Sequence, residues 1–215
     1  MKVFRLLIFT LFFPISLMSQ SFEGKIDYKM SYKSLPPEMQ GMEGMLPKNQ
    51  TIWIKGSKSR YEQTMTQMST IVISDSDLGT STILMELMGQ KYKLAMAKEE
   101  MESLVGDQGV PKITYVEGTR VIAGYTCKKA EVEMDGFDGK TIFYYTEEIP
   151  AVQVKGMEAL ALKGMYMAYE ASTQGMTVSI EVSNIDKGPV SDDKFIVPDG
   201  YTDMPDQMKS MMGIK

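Results

Sequence analysis

The chain has 215 residues, with 23 basic and 28 acidic side chains and a formal net charge of −5. That balance argues against nucleic acid and against electrostatic docking to anionic lipid. There is no histidine and a single cysteine, Cys127, which excludes His general acid–base chemistry, Ser-His and Cys-His nucleophiles, most zinc sites and any intramolecular disulfide.

The N-terminus opens with a short basic stretch, Lys2 and Arg5, followed by an apolar run from Leu6 to Leu17 and then Ser19-Gln20-Ser21. This order predicts a cleavable signal peptide over residues 1–19, and hence an exported, periplasmic protein. The run is shorter than the ~20 residues a transmembrane helix needs, and no second one follows, so the mature chain is not expected to span a membrane. Without Lys2 and Arg5 the balance becomes 21 basic against 28 acidic residues, a net charge of −7. Residues 20–215 fit one domain, since all-β units of roughly 200 residues commonly fold as one.

Phe22 to Tyr32 alternates, with Ile26, Tyr28, Met30 and Tyr32 on one face and Lys25, Asp27 and Lys29 on the other, which predicts a half-buried strand. Residues 35–47 hold three prolines and two glycines and read as a loop with at most one helical turn. Short strands follow at 50–55, 59–64, 69–74, 80–85 and 90–96, and residues 98–105 read as a short acidic helix. Further strands are predicted at 112–117, 120–122 and 125–134, with a hairpin turn at 135–139. Strand 140–146 is apolar on both faces and reads as central. Strands 165–171 and 177–185 form another pair around Gly175. Residues 195–198 are a β-like apolar run. A short helix near 205–212 carries Met204, Met208, Met211 and Met212 on one stripe. The sum is a mainly β domain: a curved antiparallel sheet of about ten strands with two or three short helices.

Few residues suggest chemistry. Ser191-Asp192-Asp193-Lys194 has the Ser-x-x-Lys spacing of serine acyltransferases, but that chemistry needs a helix and the context predicts a solvated turn. Glu99, Glu100 and Glu102 fit an exposed helix face, and Asp135 and Asp138 fit a hairpin turn better than a Ca²⁺ loop. Cys127 reads as a partly buried structural thiol. Asn49-Gln50-Thr51 fits a glycosylation sequon, which matters only in a eukaryotic secretory pathway.

Methionine is the unusual constellation, at 21 residues. Met39-x-x-Met42-x-x-Met45, Met65-x-x-Met68, Met85-x-x-Met88 and Met208-x-x-Met211 repeat one spacing. Thioethers are flexible, polarizable fillers of irregular apolar surfaces, and they are also soft ligands that favour Cu(I). Scattered over separate elements, and set on opposite faces if 65/68 and 85/88 each lie in one strand, they fit packing or the lining of an apolar cavity better than copper. No metal site is assigned from the sequence.

The segments Ile54-Lys55-Gly56-Ser57-Lys58-Ser59-Arg60-Tyr61, Ile122-Ala123-Gly124-Tyr125-Thr126-Cys127-Lys128-Lys129-Ala130 and Phe143-Tyr144-Tyr145-Thr146-Glu147-Glu148-Ile149-Pro150 carry a resemblance. They are similar to exported bacterial proteins with a domain of unknown function related to the LolA/LolB lipoprotein carriers. The same central stretch resembles the GLPGLI proteins, although Lys163-Gly164-Met165-Tyr166 stands where their Gly-Leu-Pro-Gly signature would be. The resemblance implies a LolA-like half-barrel, a curved sheet around helices with an apolar interior that shields acyl chains. It transfers no functional residue.

The expectation is therefore a non-enzymatic periplasmic binding protein, without cofactor, that holds a lipid or another apolar molecule in a half-barrel cavity. Alternation nominates Trp53, Tyr92, Met165, Met167 and Tyr169 as lining, and Met39, Met42 and Met45 as a lid. The alternatives are a structural or interaction module of the envelope, with an envelope protein as partner, and a Met-based Cu(I) binder.

Overall fold

A computed structural model describes residues 22–97, 100, 110–152 and 160–211. The signal peptide expected over 1–19 and, apart from Glu100, the helix expected over 98–105 lie outside these residues. The described chain forms β1 (Glu23–Ser34), β2 (Asn49–Lys55), β3 (Lys58–Thr64), β4 (Met68–Asp75), β5 (Thr80–Leu87), β6 (Gln90–Met96), β7 (Lys112–Ile122), β8 (Tyr125–Glu133), β9 (Thr141–Thr146), β10 (Met165–Thr173), β11 (Met176–Lys187), β12 (Thr202–Asp203) and the short helix α1 (Asp206–Met211).

All twelve strands belong to one open, curved sheet, in the order β12-β6-β5-β4-β3-β2-β1-β11-β10-β9-β8-β7. Every pairing is antiparallel except β12 with β6. This is the curved half-barrel sheet that the alternation and the resemblance lead one to expect. Tight hairpins make most of the connections. Between β7 and β8, for example, Ala123 and Gly124 both take positive φ (48° and 86°), the signature of a type I′ turn whose twist matches that of the strands it joins.

Three local expectations are corrected. The strands expected at 112–117 and 120–122 are one strand, β7, whose register shifts between Val116 and Thr119 at Gly118 (φ +119°). The loop 35–47 holds two 3-10 turns, Pro37–Met39 and Glu43–Met45, where at most one was expected. Ser191 to Lys194 enters a 3-10 turn, Asp192–Phe195, and the apolar run behind it adds no strand. The pairing that closes the sheet there comes instead from β12, a two-residue strand with no apolar pattern of its own.

The two faces of the sheet are covered differently. Opposed residues of an antiparallel pair share a face, so Ile26, Ile52, Tyr61, Val72 and Ile83 form one inner row across β1 to β5. They belong to a single core cluster with Val182, Ala130, Val132, Phe143 and the returning segment that carries Ile149 and Leu162. Each fully buried Val, Ile or Phe in such a cluster stabilises the fold by roughly 1.5–3 kcal/mol. On the outer face Ile73, Leu84, Val190 and Met204 are buried outside that cluster. There the C-terminal segment crosses the sheet: Arg60 Nη1 donates to the carbonyl of Lys194 (2.8 Å), Lys55 Nζ to that of Val190 (3.1 Å), and the Met204 amide to that of Lys93 (2.8 Å). In the stripe expected near the C-terminus, Met204 is buried and Met208 half-buried.

β7 is an outer strand of the sheet and carries Lys112, Glu117 and Arg120. Charges on an outer strand discourage pairing with another chain. Arg120 is also held by both carboxylate oxygens of Glu181, each at 2.8 Å.

Candidate functional site

Antiparallel order gives the half-barrel two ends. At the Glu23 end lie the turns after β2, β4 and β7 and the segment from β9 to β10. At the Ser34 end lie the loop 35–48 and the turns after β3, β5, β8 and β10.

Burial along the inner face changes from one end to the other. In β1, Ile26 and Tyr28 are fully buried, whereas Met30 and Tyr32 are half-buried. In β11, Val182 and Ile180 are buried and Val178 and Met176 half-buried. In β6 the order is Met96 buried, Leu94 and Tyr92 half-buried, Gln90 exposed. Val132 in β8 is buried, and Met134 just beyond it is half-buried. On β1 and β6 the apolar inner face is thus buried toward the Glu23 end and half-buried toward the Ser34 end, while Ala171, Thr141 and Val132 stay buried there. A cleft of about 330 Å³ lies at the Ser34 end beside Val110, Glu133, Met134, Phe137 and Lys140.

Between the two regions lies an aromatic network. Tyr28 Oη donates to the carbonyl of Tyr166 (2.9 Å), and Gln50 Nε2 donates to Tyr166 Oη (2.8 Å). The Tyr28 and Tyr166 rings are 5.0 Å apart, Tyr166 meets Tyr169 edge-on at 5.7 Å, and Tyr169 stacks on Phe143 at 4.6 Å and on Phe137 at 6.4 Å. Burial raises the phenol pKa values of Tyr28, Tyr61, Tyr166 and Tyr169, so all four are neutral hydrogen-bonding groups at neutral pH. Burial also pushes the Cys127 thiol up, and the side chain is fully buried, which makes it a packing residue rather than a nucleophile. Among the described residues no three His, Cys, Asp or Glu side chains gather around a point that could hold an ion.

The loop 35–47 lies at this end. Tyr32 Oη donates to the carbonyl of Pro47 (2.8 Å), and Thr66 Oγ1 to that of Gly44 (3.1 Å). The loop is therefore tied to β1 and to the β3–β4 turn.

The nominated residues are brought together in part. Tyr169 and Tyr92 lie half-buried on the inner face, with Tyr92 Oη on the Gln90 side chain. In the loop, Met39 is half-buried while Met42 and Met45 are exposed. Met165 and Met167 are fully buried, at the start of β10 toward the Glu23 end. Trp53 pairs in register with Lys25 and Arg60 on the outer face, between the Lys25 and Lys194 ammonium groups at 6.0 and 4.6 Å from its ring. It borders an outer cleft of about 370 Å³ with Lys187, Val190 and Ser191.

No family model and no curated protein matches the chain. Solved structures do. The structure of PNGF-II aligns with a TM-score of 0.56 at 13% identity, over 90% of this chain and 33% of that one. The likeness is one of fold. This chain spans about a third of the length of PNGF-II. The crystal structure of the Mycobacterium tuberculosis lipoprotein LppX aligns with a TM-score of 0.40 at 12% identity, over 79% of this chain and 89% of that one. LprF from Mycobacterium bovis aligns with a TM-score of 0.33 at 9% identity, over 86% of this chain and 92% of that one.

The residues of the open end that were not nominated from sequence include Met30, Tyr32, Met134, Phe137, Met176 and Val178. A signal for two of them was present, because Met30 and Tyr32 continue the inner-face alternation of β1. Phe137 sits in a hairpin turn, and nothing in its neighbourhood shows that the turn folds back to place its ring beside Tyr169. Among the described residues, no helix is long and apolar enough to cross a membrane.

Proposed function

We propose that this chain is an exported, periplasmic, non-enzymatic carrier that holds a lipid or another apolar molecule at the Ser34 end of its half-barrel. One observation carries this reading: on β1 and β6 the apolar inner face is buried toward the Glu23 end and half-covered toward the Ser34 end, where Val178 and Met176 of β11 are half-covered too. A folded chain leaves such a surface open at a cost, and concave apolar surface with a few placed polar groups is the usual form of a small-molecule site. Met30, Tyr32, Tyr92, Phe137, Tyr169 and Val178 line it, and Met39, Met42 and Met45 form the lid. Methionine suits a lid over varied acyl chains, because it adapts its shape at little cost. Met165 and Met167 support the lining from behind, and Trp53 belongs to the outer-face packing. The resemblance to LolA-related proteins points the same way, and so does the leader sequence, which supports export.

Native mass spectrometry of the mature chain purified from the periplasm tests the reading. The expected result is a heterogeneous added mass that is lost on delipidation and regained from phospholipid vesicles. A bare polypeptide mass before and after incubation with vesicles would overturn it and favour an interaction module with an envelope protein as partner.

A further inference from the structure

The inner face is not apolar throughout. Opposed residues of antiparallel neighbours share a face, so each inner row can be followed from β1 to β6. One row runs Ile26, Ile52, Tyr61, Val72, Ile83 and Leu94. The next row toward the Ser34 end runs Tyr28, Gln50, Gln63, Thr70, Met85 and Tyr92. All but Met85 in this second row carry a strong hydrogen-bonding group, and neither row holds a charge. Polar groups on an inner face cost free energy unless they find partners, so packing alone gives no reason for such a row.

The row lies in a concavity. Gln50 Nε2 donates to Tyr166 Oη (2.8 Å), which joins β2 to β10 across the two strands, β1 and β11, that separate them in the sheet. Such a contact requires the sheet to curl around its inner face at this level.

Three donors in the concavity are uncommitted. Among the described residues, neither Tyr61 Oη nor Thr70 Oγ1 has a hydrogen-bond partner, although Tyr61 is only 7% and Thr70 only 5% exposed. No described side-chain oxygen or nitrogen is shut in without a partner, so both hydroxyls open onto the concavity. Gln63 Nε2 reaches the thioether of Met30 (3.5 Å), a weak acceptor. The three side chains are neighbours, because Gln63 is directly opposed to Thr70 and Tyr61 lies two residues before Gln63 on the same face. Burial keeps Tyr61 protonated at neutral pH, and hence a donor.

We infer that Tyr61, Gln63 and Thr70 form a donor subsite for the ester or amide carbonyl of an acylated molecule held on the inner face. The subsite presupposes the cargo reading and adds the group by which the cargo is recognised. Three clustered donors call for an acceptor oxygen. A carbonyl supplies one without charge, whereas a carboxylate or phosphate meets no cation in either row and is costly to take out of water. A hydrocarbon without oxygen displaces the water from these donors and leaves them unpaired, which is how a site of this kind discriminates.

Displacement of the fluorescent apolar probe N-phenyl-1-naphthylamine from the mature chain tests this, with methyl laurate, laurate and tetradecane as competitors of similar length. Methyl laurate is expected to bind about tenfold more tightly than tetradecane, the worth of one or two hydrogen bonds, and more tightly than laurate. The double variant Tyr61→Phe/Thr70→Val removes both hydroxyls at nearly constant shape. It is expected to lose the preference for the ester while binding tetradecane as before. Equal binding of ester and alkane, tighter binding of laurate than of its ester, or an unchanged preference in the variant would overturn the subsite and leave the cargo reading standing. A chain that binds neither the probe nor any competitor would overturn both. Should the variant misfold, infrared spectra of carbonyl-¹³C methyl laurate on the wild-type chain decide the matter. A carbonyl stretch lowered from its position in hexane supports the subsite, and an unshifted one overturns it.

Discussion

Ile26 and Met30 lie four positions apart on one face of β1, yet the first is fully buried and the second is not. The same contrast runs along β6. At the Glu23 end residues 147–152 and 160–164, between β9 and β10, pack on the sheet. Ile149 and Leu162 are buried there, and the Met165 amide bonds to the carbonyl of Ile149 (2.9 Å). Gly164 packs so tightly that a Cβ at that position would collide with the carbonyl of Thr146. Among the described residues, the element at the Ser34 end is a proline- and glycine-rich loop, none of whose side chains is buried. A sheet of one construction thus has a structural end and an open end, and the difference lies in what lies over it rather than in the strands.

The comparison breaks most visibly if the sealed end tolerates change. Gly164→Ala and Ile26→Ala are each expected to cost about 2–5 kcal/mol, the first by collision with backbone and the second by leaving a cavity. Met30→Ala and Tyr32→Ala at the open end are expected to cost about 1 kcal/mol. Chemical denaturation of the four variants checks this, and equal costs would contradict the two-ended reading.

Alkaline pH probes the aromatic network between the ends. Tyr28 and Tyr166 have folded pKa values raised above the unfolded value by burial. The folded state therefore keeps protons that the unfolded state loses, and stability present below about pH 10 falls as pH rises further, by about 1.4 kcal/mol per pH unit for each phenol. Tyrosinate absorbance should appear together with unfolding rather than before it.

A smaller loss is expected for Tyr28→Phe, which removes the hydrogen bond to the Tyr166 carbonyl, at about 1–2 kcal/mol in thermal unfolding. The smallest effect has the opposite sign. Met88→Gly should stabilise the fold by about 1 kcal/mol, since glycine takes the left-handed conformation without strain.

The strand pattern was largely legible because it rests on local alternation: β6 has the expected bounds, and β1, β2, β3 and β8 differ from them by one or two residues. The pieces that sequence misplaced are set by distant partners. β12 is a strand only because Lys93 offers its carbonyl to the Met204 amide, and β7 is continuous only because its bulge lets both halves pair with β8. The site was less legible for the same reason. Alternation gives two faces per strand but not which one is inner, so Trp53 was nominated from the face that the C-terminal segment covers. It also does not say where along the inner face the cover stops, which is what distinguishes Met30 from Ile26.

Methionines lie at both ends, and this makes the central claim directly measurable. Methyl spectra of ¹³C-methionine-labelled protein should be recorded as phospholipid vesicles or a long-chain fatty acid are added. Binding at the Ser34 end predicts shifts at Met30, Met39, Met42, Met45, Met134 and Met176, with Met96, Met165, Met167 and Met204 unmoved. Shifts confined to the second group, or none at saturating lipid, would contradict a ligand site at the open end.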